Sequence, residues 1–213
     1  MFKRDQDLIE TFAKQGPKQT EQVAVFVIAS IRTHLSTLPR VMKTYRKRGK
    51  NGLDELMPKQ KEGILYVRQN RKWLFNLVER YRDGGITTEE TLLELMTIPC
   101  IGLVKAGFLL QCLTGKVGCL DCHNLRQHDL REGAFKLSHN RVTEANLRKV
   151  RNYIQVCEEL GGSEALWNDW CEGMADRYRN RFADAMLCHS CIAKPLLVST
   201  NKQGFYSRVL TIL

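Results

Sequence analysis

IPCIGLVKAGFLLQCLTGKVGCLDCHNLR, residues 98–126, is the stretch on which the fold turns. A Pro-containing tetrad, Pro99–Cys100–Ile101–Gly102, interrupts two apolar runs of helical periodicity. The second run closes at Gly115–Lys116–Val117–Gly118, and a lone acid, Asp121, stands between Cys119 and Cys122. A short turn containing glycine between two helices predicts a helical hairpin. Asp121 is well placed to cap a helix beginning at Cys122. It also stands as a single carboxylate after buried sequence, which is where an active-site group would be reached.

Outward from this stretch, period 3.6 dominates and nothing alternates with period two, which predicts an all-α chain. Helices are expected over 4–15, over 21–35 with Thr20 as cap, from about Thr37 to 48 with Pro39 in the first turn, and over 54–57, closed by Pro58. One long helix follows over 61–82, up to the break at Asp83–Gly84–Gly85. Thr87 with Glu90 three residues later has the form of a capping box ahead of the helix to Thr97. Further helices are expected over 103–113, from Cys122, over 142–160, and over 163–178 after Gly161–Gly162.

The 213 residues suffice for one large domain or two small lobes around a shared core. Lys and Arg number 33 against 23 Asp and Glu, a formal charge of +10 that favours a polyanionic partner, nucleic acid or an anionic membrane. The longest clean apolar run, 23–29, is too short to span a bilayer. With no leader visible and eight Cys scattered through apolar helical segments, buried free thiols in an intracellular protein are expected rather than disulfides. Within the hairpin, the N–H groups at the start of the second helix together with Lys105 would suit a DNA phosphate. A plain packing corner is the competing explanation.

Residues 98–126 resemble the helix-hairpin-helix superfamily of DNA glycosylases (HhH-GPD), the endonuclease III and adenine-glycosylase group. Ile98–Ala106 stands where that family has LPGVGxKTA, and Leu120–Gln127 where it has VDTHVxRV. The likeness extends over roughly 20–130: 26–45 resembles the family's first core helix, with Arg32 where a Gln fills the hole left by a flipped base, and 63–74 resembles the helix before the hairpin. The resemblance implies one compact unit of two helical lobes with a cleft between them. Residues 20–118 would form the core lobe, with the hairpin at 90–113, and 1–19 and 119–213 the second lobe. It implies Asp121 as catalytic group and Cys100, Gly102, Lys105, Arg32, His123 and Arg126 as residues toward double-stranded DNA.

Several departures from the family bear on the chemistry. Val104 stands where bifunctional members have a nucleophilic Lys, and Lys105 follows about 100° around the helix. Cys100 replaces the first hairpin glycine. The family's four-Cys iron–sulfur pattern is not present, and Cys188 and Cys191 are what remains of it. A zinc site of Cys119, Cys122, Cys188 and Cys191 is a weaker alternative to packed thiols, so neither metal nor cofactor is expected.

Tyr66 and Trp73 on one helix stripe are expected in the core, and Trp167 and Trp170 are expected to staple helices. Function is then expected to be monofunctional N-glycosylase action on a modified or damaged base, by a cytoplasmic, monomeric protein. Two alternatives stand beside it. The C-terminal third resembles the viral thymine-hypermodification branch of the superfamily, which would transfer an amine or amino acid to a pyrophosphorylated pyrimidine in the host cytoplasm. The other alternative is a DNA-binding module without catalysis.

Overall fold

The computed structural model describes residues 3–32, 37–137 and 142–169. Among them the secondary structure is helical throughout: α1 (Lys3–Lys14), α2 (Pro17–Ala29), α3 (Leu38–Arg48), α4 (Pro58–Gln69), α5 (Arg71–Arg82), α6 (Thr88–Leu95), α7 (Leu103–Thr114), α8 (Cys122–Gln127) and α9 (Glu144–Glu159). A 3-10 turn, Gly49–Gly52, follows α3, and residues 162–169 form a further helical run.

Two helices are apolar nearly all round and therefore lie inside. Every residue of α2 from Val23 to Ala29 is buried, and so is every residue of α7 from Ala106 to Thr114. They pack on each other through Phe26 and Phe108, with ring centroids 6.5 Å apart. Around α2 lie α1, α3, α4 and α5, while α1, α5 and α6 lie against α7. Burial of apolar area around this pair stabilises the fold at about 25 cal/mol per Å².

Four boundaries differ from the sequence expectation, each for a local reason. The helix expected from Glu21 starts four residues earlier, because Pro17 fits the first helical position and Gly16, at φ 143, turns the chain into it. Thr20 therefore sits inside α2, and its hydroxyl donates to the Ala13 and Gly16 carbonyls instead of capping. The same helix stops at Ala29, where the buried amide of Gln60 donates to the carbonyls of Ile28, Ala29 and Ile31. Residues 54–57 are turn rather than helix, and Pro58 opens α4 instead of closing a preceding helix. The long helix expected over 61–82 is two helices: the chain leaves the helical region at Asn70, at φ −106 and ψ 23, where the N–H and the side-chain amide both donate to the Tyr66 carbonyl.

The hairpin and the Thr87 capping box form as the sequence predicts. Thr87 N–H donates to Glu90 Oε2 at 2.9 Å, and Glu90 N–H donates to Thr87 Oγ1. The Thr87 hydroxyl, which donates to Glu90 Oε2 at 2.7 Å, and after it the Thr87 N–H hold the Glu90 carboxyl below its usual range. Trp73 and Tyr66 meet edge to face and lie against the core, as expected for packing residues.

Candidate nucleic-acid interface and active site

The turn between α6 and α7 is anchored by Ile98 and Ile101, both buried, with Ile101 N–H donating to the Ile98 carbonyl. Between them Cys100 adopts φ +67. A side chain in that left-handed region costs about 1–2 kcal/mol, so the turn keeps a shape that glycine would adopt freely. The near end of α4 is shaped to this turn. A Cβ on Gly63 would stand 2.4 Å from the Pro99 carbonyl oxygen and 3.0 Å from Cys100 Sγ. Burial pushes the Cys100 thiol up to about 11, and Lys59 on α4 acts against that rise.

Gly102 is the N-cap of α7 and supplies no side-chain cap for its first-turn N–H groups. Its backbone, at φ −100 and ψ 177, is open to any residue, and a Cβ there would meet nothing within 4 Å. Neither conformation nor packing within the described chain requires a glycine at this position.

Asp121 is the N-cap of α8, with Oδ1 accepting from His123 N–H at 2.9 Å and Asn124 N–H at 3.3 Å. The chain reaches it through a buried segment, Gly118–Leu120, gripped from three sides. Tyr153 of α9 donates its hydroxyl to the Gly118 carbonyl at 2.5 Å and accepts from Leu120 N–H at 3.3 Å. Asn124 of α8 donates to the Cys119 carbonyl at 2.6 Å and to the Leu166 carbonyl at 2.9 Å. Gly107 of α7 makes room for this arrangement, since a Cβ there would stand 2.2 Å from the Tyr153 hydroxyl and 2.8 Å from the Gly118 oxygen. The carboxylate thus stands half-exposed at the end of a rigidly held backbone.

Lys105 is brought toward the same region. Burial pushes the Cys119 thiol well above its usual range; Asp121 adds to the rise, and Lys105 opposes it. The Lys105 ammonium lies 5.1 Å from the centroid of the Phe108 ring, a cation–π distance. Phe108 in turn stacks on the buried Trp167 at 6.3 Å. A carboxylate, a lysine and a stacked aromatic pair thereby gather around the α7–α8 connection.

The other expected site residues are spread more widely. Cys100 and Gly102 sit together in the hairpin turn, as the sequence places them. Arg32 is exposed in the turn after α2, at φ 54. His123 is half-buried in the first turn of α8, while Arg126 is exposed and bonds Glu132 at 2.5 Å. That bond, followed by the attraction of the Glu132 charge, raises Arg126 further, and a phosphate would have to displace Glu132.

Sequence reasoning missed Tyr153, Asn124 and Gly107, whose roles arise from contacts 5–46 residues apart in the chain and carry no local motif. It also missed the pair formed by His128 Nε2 and Asp169 Oδ2, 2.8 Å apart, which ties the end of α8 to the 162–169 helix. Two surface concavities, of about 380 and 410 Å³, lie elsewhere and do not include Asp121 in their walls.

Cys119 is buried and Cys122 exposed, so the two thiols meet different surroundings. Cys188, Cys191 and Trp170 lie outside the described residues. Among the described residues no cluster of three or more His, Cys, Asp or Glu side chains could hold a metal ion, and no helix is long and apolar enough to cross a membrane. No family model, curated protein or solved structure matches the chain.

Proposed function

We propose that this chain binds double-stranded DNA, flips a modified or damaged base from the stack, and releases it as a monofunctional N-glycosylase with Asp121 as the catalytic group. The observation that carries this reading is the pairing of two features along the chain. A hairpin turn holds a strained left-handed Cys100 before an uncapped helix start, and a carboxylate is then fixed at a helix cap by the Tyr153 and Asn124 network. Backbone strain of this kind is kept where surrounding structure and use demand it.

In this reading the first-turn N–H groups of α7 hold a DNA phosphate, and Gly102 lets the phosphate approach the backbone. The target nucleotide turns out toward Asp121, at the cost of a few kcal/mol of stacking. As the C1′–N bond breaks, the base departs with the bonding electrons and takes up a proton, and positive charge develops on the sugar. Asp121 stabilises that charge in a preorganised position. Water adds its oxygen to C1′ and passes its proton to the carboxylate, leaving an abasic site. Val104 offers no amine, and Lys105 lies over Phe108, so this reading includes no covalent lysine intermediate.

A second reading is favoured by the same cap. Asp121 accepts two backbone N–H bonds, which a purely structural residue in a DNA-binding module would also do. Incubation with duplexes carrying uracil, oxidised or alkylated bases, followed by alkali, separates the two. Strand scission at the lesion in at least one duplex is the expected result. Salt-dependent binding with no scission on any duplex selects the module. Amine transfer onto a pyrophosphorylated thymidine duplex, read by nucleoside mass spectrometry, would replace the hydrolase reading with a transferase.

A further inference from the structure

One buried acid in the chain is attended by more positive charge than it needs. Glu21 of α2 is 6 % exposed, and its Oε1 accepts from the Tyr45 hydroxyl of α3 at 2.6 Å. Its Oε2 accepts no hydrogen bond among the described residues. The cation paired with it, Arg71, stands 3.7 Å from Oε2 with half of its side chain exposed. A charge-assisted bond would close to about 2.7–2.9 Å. The guanidinium therefore offsets the buried charge without giving up its donors, of which arginine has five.

Arg68, exposed in the last turn of α4, reaches the same pair. Burial, then the bond to Glu21, raises the Tyr45 hydroxyl well above the usual tyrosine range, and Arg68 and Arg71 both oppose the rise. Among the described residues Glu21 is the one acid acting on that hydroxyl. The Arg68 guanidinium lies so close over Gly49 that a Cβ there would overlap it, and it makes no ion pair among the described residues. Two guanidinium groups thus share one carboxylate. The start of α5 has the same sign: Arg71 and Lys72 open the helix, no acid stands in its first turn, and Asn70 supplies no side-chain cap. Cations at that end stand against the positive pole of the helix dipole, where an anion is favoured.

We propose that Arg68 and Arg71 form an anion site for a phosphate group at the α4–α5 junction, with Glu21 as the internal competitor for Arg71. The site is separate from the hairpin turn and does not depend on the glycosylase reading above. A phosphate offers charged oxygens to two planar donor groups, the match that arginine makes better than lysine. As it binds, the Arg71 donors turn to the phosphate, and the Tyr45 bond keeps Glu21 in place. The chemistry is shared by a nucleic-acid backbone and a soluble phosphate, and the two arms of the test separate them.

The full chain is titrated with inorganic phosphate at constant ionic strength, followed by thermal melting, and with a short duplex, followed by fluorescence anisotropy across a salt series. Arg68→Gln and Arg71→Gln are combined with Glu21→Gln, so that no buried charge is left unpaired. Phosphate binding is expected to weaken roughly ten- to hundredfold in this triple variant. Glu21→Gln alone keeps an oxygen for the Tyr45 hydroxyl and both arginines, and is expected to bind more tightly than wild type. A control pair, Arg80→Gln and Arg148→Gln, removes charge from other exposed positions and should match wild type.

Weakened phosphate binding with an unchanged duplex slope supports the site and assigns it to a soluble phosphate. A slope of log K against log salt lowered by about 1.8, roughly 0.9 per lost contact, supports it and assigns it to a nucleic-acid backbone. Wild type that responds to neither probe overturns the proposal. So does a triple variant that matches the control pair in both titrations, or a Glu21→Gln protein that binds no more tightly than wild type. Arg71 is then the counterion of a buried acid and nothing more.

Discussion

Gly102→Ala separates the two reasons for a glycine at a helix start, the needs of the fold and the needs of a ligand. In the folded chain φ −100 and ψ 177 suit alanine, and the new methyl group meets nothing within 4 Å. Two small effects oppose each other. Alanine is the poorer N-cap by about 0.5–1 kcal/mol, while restricting the unfolded chain returns about 0.4–1 kcal/mol. The net change is within about 0.5 kcal/mol, a Tm shift of roughly 2 °C or less for a chain of this size.

On the proposed phosphate grip the outcome is different, because the methyl group would stand where the anion approaches the first-turn N–H groups. Loss of one charge-assisted hydrogen bond costs about 1.5–3 kcal/mol, or roughly ten- to hundredfold in Kd. Thermal melting by circular dichroism and duplex anisotropy at fixed salt read the two effects independently. Unchanged melting with weakened binding is expected. Duplex binding equal to wild type would refute the phosphate grip, and a large loss of stability would refute the claim that the fold leaves this position open.

Gly63→Ala should act in the opposite sense, destabilising the fold by about 1–3 kcal/mol in urea denaturation as α4 is pushed from the hairpin turn. Tyr153→Phe strands the buried Leu120 N–H and leaves the Gly118 carbonyl with the weak Cys157 thiol at 3.9 Å, and a loss of about 1–3 kcal/mol is expected. Faster hydrogen exchange at Leu120 should accompany it. Glu90, with its folded pKa depressed chiefly by the Thr87 hydroxyl, contributes stability at neutral pH that is lost as pH falls from the ordinary carboxyl range through the lowered value. Glu90→Gln should flatten that part of the stability–pH profile. Among the five described cysteines, Cys122 is exposed, whereas burial holds Cys112 and Cys119 well above the usual thiol range and pushes Cys157 up to about 12. Peptide mapping after brief native alkylation should therefore find Cys122 modified well ahead of Cys112, Cys119 and Cys157.

What was legible in the sequence was what local chemistry dictates. Period 3.6 announced the helices, Thr87 with Glu90 announced the capping box, and Asp121 before Cys122 announced a cap. The boundaries that moved were decided by side chains far away in sequence or by competition within one residue. Gln60 ends α2 from 29 to 32 residues downstream, and Asn70 splits one periodic stretch where its backbone leaves the helical region and its side-chain amide joins its own N–H on the Tyr66 carbonyl. The same holds at the site. Asp121 could be singled out from its neighbours, but the Tyr153 and Asn124 bonds that fix it join four parts of the chain, and no spacing rule in one segment encodes them.

Asp121→Asn puts the central claim most directly to the test. Asparagine caps a helix start about as well as aspartate, so the bonds from His123 and Asn124 N–H should persist and melting should stay near wild type. The carboxylate charge alone is lost. Alkali-revealed scission of the lesion duplex that wild type cleaves is then expected to fall by about two to three orders of magnitude, the scale of a lost electrostatic stabiliser, with duplex affinity retained. Scission at the wild-type rate by a folded Asp121→Asn protein would contradict the account and leave Asp121 as a helix cap alone.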